Sequence, residues 1–173
     1  MRQVSPAEAF KRKYPEQIVL AVSADAAGRP DIITLGWAMP TSNVPPMLAI
    51  SIGHTRYSHE LIEKGGEFVL ALPSTRLAEA CLLCGTKSGR DTDKIAAAKL
   101  RTEPAKLVRP PLLAGCLANF ECKVRGKLVT GDHTIFAGEV LAAHVDDSVS
   151  ERVYNFAGEF KAAGIATQEG DGR

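Results

Sequence analysis

The stretch LLAGCLANFECKVRGKL, residues 112–128, constrains the fold more tightly than any other. Within it, Cys116, Ala118, Phe120, Cys122 and Val124 fall on one side, and Leu117, Asn119, Glu121 and Lys123 on the other. That period of two predicts a half-buried antiparallel strand. A second long strand, GDHTIFAGEVLAAHVDD, follows after a Gly-Asp turn. Upstream, QIVLAVSA reads as a buried strand, DAAGRPD as a turn at Gly28, IITLGWAM as a second strand and EFVLALP as a fourth. Between them, Pro45-Pro46 starts a third strand over residues 47–52, a position that tolerates proline. Its Leu48, Ile50 and Ile52 share a core-seeking face, and Met47, Ala49 and Ser51 a smaller, mildly polar one that calls for something to lie against it.

Short helices are expected in the connections. Residues 5–14 read as helical or irregular. YSHELIEKGG reads as a helix capped by Thr55 or Ser58 and ended by a left-handed Gly65. TRLAEACLLCG is a second helix, and SGRDTDKIAAAKL a glycine-containing loop that enters a third, capped by Asp91 or Thr92. Six or seven strands, mostly neighbours in sequence and without regular helix alternation, predict a mainly β protein. An antiparallel barrel with helical insertions fits that order, and a doubly wound parallel sheet does not.

The 173 residues suit one domain over residues 1–173, with 1–14 and 166–173 peripheral or frayed. A net charge of +1 gives no reason to expect nucleic acid or an anionic membrane as partner. No apolar run is long enough for a bilayer, and the N-terminus lacks a secretory pattern, so the expected location is cytoplasmic. Cys81 and Cys84 form a C-x-x-C, but they sit in the middle and end of an amphipathic helix. A reactive thiolate would be placed at a helix start. Without a second C-x-x-C or a His pair, no metal site is expected, and all four cysteines read as buried free thiols.

No P-loop, Rossmann fingerprint, serine-hydrolase elbow or H-E-x-x-H occurs. The positive signal is SIGHTRYSHELI, where Ser51, Thr55, Arg56 and Ser58 lead from a strand end into a helix start. Free N–H groups, the helix dipole and a guanidinium suit a phosphate monoester. On these residues alone, a capped helix with a solvated Arg is the simpler reading. The same holds for CGTKSGRDTDK, where Gly85 and Gly89 permit close approach beside Lys87, Arg90 and Lys94. It holds too for His133 at a strand start and for Trp37, which could simply fill the core.

Taken together, these segments resemble the flavin reductase-like, FMN-binding split-barrel family, most closely its flavoredoxin-like branch. The matching features run in order through Thr34-Leu35-Gly36-Trp37, Met39-Pro40, Pro45-Pro46 and Ser51-Ile52-Gly53. They continue through Thr55-Arg56-Tyr57-Ser58, Glu60-Leu61-Ile62, Gly66-Glu67-Phe68-Val69, Cys84-Gly85, Ser88-Gly89-Arg90-Asp91, Asp93-Lys94 and Gly131-Asp132-His133 to Gly138-Glu139-Val140. The resemblance implies a six-stranded antiparallel Greek-key barrel that binds FMN non-covalently, as a homodimer with FMN near the subunit interface. It implies a phosphate site at Ser51, Arg56, Tyr57 and Ser58. The isoalloxazine would lie along Thr34, Gly36, Trp37, Met39, Thr41, Ser42 and Asn43. Ser88, Gly89 and Arg90 would approach the cofactor, and His133 and Lys94 would contact flavin and nicotinamide as the catalytic pair. The position of Asp31 is commonly Asn in this branch, so Asp31 stands outside the set.

The function implied is an oxidoreductase that passes hydride from NADH or NADPH to bound FMN and on to free flavin or a small acceptor. The alternative is a flavoredoxin-like FMN electron carrier serving a redox protein partner. A third class, a flavin-free barrel with another ligand such as haem, is opposed by Arg56-Tyr57-Ser58 and Trp37. No ribose-binding fingerprint separates NADH from NADPH.

Overall fold

The computed structural model describes residues 1–157 and 159–164. In chain order its elements are α1 (Pro6–Phe10), β1 (Glu16–Gln17), β2 (Val19–Ala24), β3 (Pro30–Leu35), β4 (Ala38–Asn43), β5 (Pro46–Gly53), α2 (Tyr57–Gly65), β6 (Glu67–Pro73) and α3 (Ala78–Thr86). They continue with α4 (Lys94–Ala97), β7 (Thr102–Glu103), β8 (Leu112–Leu113), β9 (Cys116–Thr130), β10 (His133–Val145), β11 (Glu151–Phe156) and β12 (Glu159–Gly164).

The main sheet runs β3-β2-β6-β9-β10-β5-β4, antiparallel throughout. Its two outer members are one chain segment bent at Gly36-Trp37. β3 pairs with β2 and β4 pairs with β5, so the bend closes the sheet into a barrel. The expected six-stranded barrel is present, with one strand divided in two at its seam. The seam also departs from expectation at Thr41, Ser42 and Asn43. These continue β4 rather than form a loop, with Ser42 opposite Met47 and Asn43 opposite Pro46. A register shift between Pro40 and Ser42 leaves Thr41 outside the pairing, and the free edge of β4 tolerates Pro40.

Two apolar layers follow from strand alternation. Val19, Ala21, Ile33, Ile50, Ile52, Phe68, Leu70, Cys122 and Phe136 fill the barrel. Leu20, Val22, Ile32, Val69 and Ala71 face outward under α3, where Cys81, Cys84 and Cys116 join them. β2 is therefore buried on both sides, which explains its unbroken apolar run. All four cysteines are buried and free. Burial pushes Cys81, Cys116 and Cys122 up to about 12 and Cys84 to about 11, so none offers a thiolate near neutral pH.

Cys116 departs from the expected alternation. A register shift between Leu72 and Pro73 on β6 skips Leu117, and Cys116 joins the outer layer while Cys122 stays inside. The opposite face of β9 is not solvated either. Asn119 is buried and exchanges both of its amide hydrogen bonds with the backbone of Leu113 (2.9 and 3.0 Å), and Glu121 is fully buried. The β11–β12 hairpin, with β1 on its edge, has no counterpart in the sequence reading. Residues 166–173 lie outside the described residues. Near the N-terminus, Lys13 Nζ stands 5.5 Å from the centre of the Tyr14 ring and 5.2 Å from that of Trp37.

Candidate functional site

β5 ends at Gly53 and turns into α2, and most of the expected positions gather around this turn. Arg56 occupies the N-cap of α2 with extended backbone (φ −78°, ψ 138°), and no side chain caps the first turn. The expected caps are otherwise engaged or absent: Ser58 is buried and donates its hydroxyl to Asp31 Oδ2 (2.5 Å). At the other end the left-handed residue is Gly66 (φ 67°), one position beyond the expected Gly65. An uncapped helix start keeps its N–H groups and positive dipole end available to an anion. The Arg56 guanidinium beside it is exposed and makes no hydrogen bond or ion pair among the described residues. Gly53 completes the recess. A Cβ there would stand 3.5 Å from His133 Nε2 and 3.8 Å from Arg56 Cγ.

His133 lies opposite Gly53 in the β10–β5 pairing. Its Nδ1 is 2.6 Å from Asp132 Oδ1, which orients the ring and holds the Asp132 carboxyl below its ordinary range. The His133 ring is 4.9 Å from that of Trp37, tilted by 39°. Trp37 therefore does not fill the core. It is 50% exposed on the outer barrel wall and, with Met39, Ala49, Ser51 and Ile135, lines a shallow hollow of about 220 Å³. Ser51 N donates to Trp37 O (3.0 Å), which fixes the bend against β5. Ala49 and Ser51, the small face noted in the sequence, form the floor. Beneath the turn, His59 Nε2 meets Thr134 Oγ1 at 2.9 Å, and burial, then His54, lowers its pKa.

A second cluster lies behind the turn. Lys94 is 5% exposed, with its ammonium bonded to Ile32 O and paired with Asp31 Oδ1 at 2.8 Å. This departs from the role expected of Lys94: an ammonium enclosed with a carboxylate is not free to meet a ring or a nicotinamide. The sequence reading set Asp31 aside, yet it organises the cluster. Arg90 latches the loop 88–93 onto α2 through Thr55 O (3.3 Å) and Glu60 (3.0 Å), with its guanidinium carbon 5.0 Å from the Tyr57 ring centre. Ser88 Oγ accepts from Arg90 N (3.2 Å). Gly89 passes directly over Asp31, where a Cβ would come within 2.1 Å of Oδ1 and 3.0 Å of Tyr57 Cδ1. Gly89→Ala is therefore expected to cost ~1–3 kcal/mol by overpacking, read as a lowered thermal midpoint. Asp93, not Asp91 or Thr92, caps α4 through Ala96 N (3.0 Å).

The remaining expected positions divide. Gly36 sits at the bend, Met39, Thr41 and Asn43 are exposed on β4, and Ser42 is half-buried. Thr34 points away from the hollow, toward α3, where Oγ1 donates to Cys81 O (2.6 Å). Two features had no signal in the sequence reading. One is the segment 13–17, laid across the Gly36-Trp37 bend. The other is the buried Glu121. Among the described residues no group of three or more His, Cys, Asp or Glu could hold a metal ion, and no helix is long and apolar enough to cross a membrane.

Residues 11–164 match the family model described as a flavin reductase like domain. An uncharacterised protein of Archaeoglobus fulgidus is 40% identical over 128 residues, 74% of this chain and 71% of that protein. A flavin reductase (NADH) of Kitasatospora aureofaciens is 28% identical over 130 residues, 74% of this chain and 65% of that protein. Among solved structures, the flavoredoxin of Desulfovibrio vulgaris (Miyazaki F) superposes over 100% of both chains with a TM-score of 0.82 and 25% identity.

Proposed function

The chain belongs to the flavin reductase-like family, and from that premise we propose that it is an FMN-binding oxidoreductase that takes reducing equivalents from NADH or NADPH and delivers them to free flavin or a small acceptor. The observation that carries this reading is the open start of α2. Its uncapped turn, the exposed Arg56 and the Gly53 recess form a donor-rich cradle, and His133 links it to the Trp37–Ser51 hollow. Such a set fits a phosphate monoester joined to a planar heterocycle.

In this reading Arg56, Tyr57 N–H and Ser58 N–H hold the phosphate. The Ser58 hydroxyl stays with Asp31 and supports the turn from behind. Trp37, Met39 and Ser51 hold the ring, with the free edge of β4 from Thr41 to Asn43 beside it. Gly36 lets the bend form, and Ser88, Gly89 and Arg90 brace the turn. When bound, FMN supplies the hydride-accepting chemistry, and the protein supplies orientation and electrostatics. His133 stands at the mouth, oriented by Asp132, where its Nε2 can donate toward an anionic ring or position a nicotinamide. Lys94 acts indirectly, by holding the loop and the turn together. No nucleophile is required, in keeping with four inert thiols.

The holoprotein mixed anaerobically with NADH or NADPH should lose its flavin band near ~450 nm. No bleaching with either nucleotide refutes the reductase reading. Arg56→Ala should weaken FMN by ~1–3 kcal/mol through loss of a charged hydrogen bond. Quenching of the emission of Trp37, the one tryptophan in the chain, measures that affinity directly. Unchanged affinity would move the phosphate elsewhere.

The electron-carrier reading draws support from the similarity to flavoredoxin and from the exposure of Trp37 and Met39 at the hollow. Fast reduction by a ferredoxin-like protein with slow nucleotide oxidation would favour it. The same wall supports a homodimer: Leu128 and Ile135 extend the apolar surface across β9 and β10, beside Ala137 and Gly126. Sedimentation analysis tests that assembly.

A further inference from the structure

The segment 11–17 is part of the wall of the site. Glu16–Gln17 is the edge strand β1, opposite Asn155 and Tyr154. Gln17 Nε2 donates to Ala38 O, just past the bend. The Glu16 side chain fills the space that any residue other than glycine would need at position 36, since a Cβ there would lie 2.3 Å from Glu16 Cδ. Glu16 Oε1 in turn holds Lys13 Nζ at 2.5 Å, and the ammonium stands 5.2 Å from the centre of the Trp37 ring. The chain thus carries its run Lys11-Arg12-Lys13 to the rim of the Trp37–His133 pair.

Charge at that rim is predominantly positive. Glu16 is matched by Lys13 and Glu8 by Arg2, and Asp132 is hydrogen-bonded to His133. Lys11 and Arg12 are exposed, and neither side chain makes an ion pair or hydrogen bond among the described residues. Arg56 borders the same glycine, Gly53, as His133 does, and its guanidinium makes no hydrogen bond or ion pair among the described residues. At ~3.3–3.6 Å of chain per residue, Arg12 and Lys11 begin within about 4–7 Å of Lys13 along the backbone.

We propose that Lys11-Arg12-Lys13 forms the specificity element for the electron donor. It binds the phosphates of the adenosine half of a dinucleotide whose nicotinamide rests by Trp37 and His133, and it selects the form that carries an extra 2′-phosphate. The proposal rests on the flavin reading above. The chemistry is point charge against phosphate: one dianionic group more or less, met by Lys11 and Arg12, whose charges no carboxylate among the described residues takes up. Lys13 serves near the ring, where Glu16 has already set its position, and Lys11 and Arg12 serve the outer phosphate.

The test uses the full chain reconstituted with FMN. Calorimetric titration compares NADP⁺ with NAD⁺, and stopped-flow bleaching compares NADPH with NADH, both at low and high salt. The expected result is at least a tenfold preference for the phosphorylated nucleotide, shrinking as salt rises. In the double variant K11A/R12A the preference should fall toward unity while FMN affinity stays unchanged. K13E should weaken both nucleotides. Equal affinity for NADP⁺ and NAD⁺, or a preference that survives K11A/R12A, overturns the proposal. If flavin binds but neither nucleotide bleaches it, the reductase reading fails. The titration still decides the specificity element: tighter NADP⁺ sustained by Lys11 and Arg12 upholds it, and equal binding rejects it.

Discussion

Replacing Lys94 by Met is expected to destabilise the fold by ~3–5 kcal/mol, because the change leaves a buried carboxylate without its cation. Asp31 is 4% exposed, and its two oxygens meet Lys94 Nζ at 2.8 Å and the Ser58 hydroxyl at 2.5 Å. Ser58 alone cannot balance a full charge there. The same ammonium satisfies Ile32 O on β3, so the variant also frees a buried carbonyl. Urea unfolding monitored by circular dichroism gives the size of the effect. Asp31→Asn combined with Lys94→Met should recover most of the loss, since a neutral amide is cheap to bury when its partner charge is gone. A double variant as unstable as K94M would show that Lys94 acts through Ile32 O or packing rather than through Asp31. FMN affinity should fall with K94M and return in the double variant, because the pair underlies Ser58, Gly89 and the start of α2. A group that touched the cofactor directly would not be rescued in this way.

That pair also shows why part of the site was hidden in the sequence. Patterns with a fixed period were readable. The alternation on β9, the continuous apolar run of β2 and the small face of β5 specified an antiparallel barrel and one wall awaiting a ligand. Motif-like turns were readable as well, and the segments around Trp37, Arg56 and His133 do converge. What failed were predictions about where a single side chain points. Lys94 was expected at the ring from the family resemblance, but α4 turns it inward onto Asp31. Thr34 was expected along the isoalloxazine from the same resemblance, yet α3 covers its face and takes its hydroxyl. Capping was misplaced for the same reason: Thr55, Ser58, Asp91 and Thr92 are all competent caps. Tertiary partners leave the start of α2 uncapped and give that of α4 to Asp93.

The segment 13–17 illustrates a further limit. Nothing in KRKYPEQ predicts that it crosses residues 36–38, because the contact depends on β11, a strand more than a hundred residues later in the chain. Local propensity is silent about such pairings. Under the proposed function the consequence is functional, since these residues would bring charge to a site whose other members come from the seam strand, the β5–α2 turn and the β10 start.

Glu121 is the second position where a large effect is expected. Its carboxylate, with no exposed surface, collects four contacts from consecutive backbone N–H groups. Lys106 N meets both oxygens at 3.0 and 3.1 Å, and Leu107 N and Val108 N meet Oε2 at 2.5 and 3.1 Å. His144 Nε2 adds a contact at 2.7 Å to Oε1. Burial acts to raise the pKa. The backbone donors together with His144 outweigh it and hold the carboxyl below its ordinary value of 4.5. Glu121→Ala should cost ~3–5 kcal/mol, as removal of one member of a buried charged set does. Glu121→Gln keeps the shape but turns an amide NH₂ toward donors, and should cost ~1–3 kcal/mol. The wild-type contribution has a defined pH dependence. A depressed native pKa stabilises fully above the unfolded carboxyl's range and is lost as pH falls through the native value. Stability of the wild type should therefore drop below about pH 4.5 more steeply than that of Glu121→Gln, the difference being the part owed to this carboxylate. Amide exchange at Lys106, Leu107 and Val108 should rise first, ahead of the β9–β10 core. Equal acid sensitivity in the two proteins, with unchanged exchange in the 106–108 segment, would show that Glu121 does not anchor that loop.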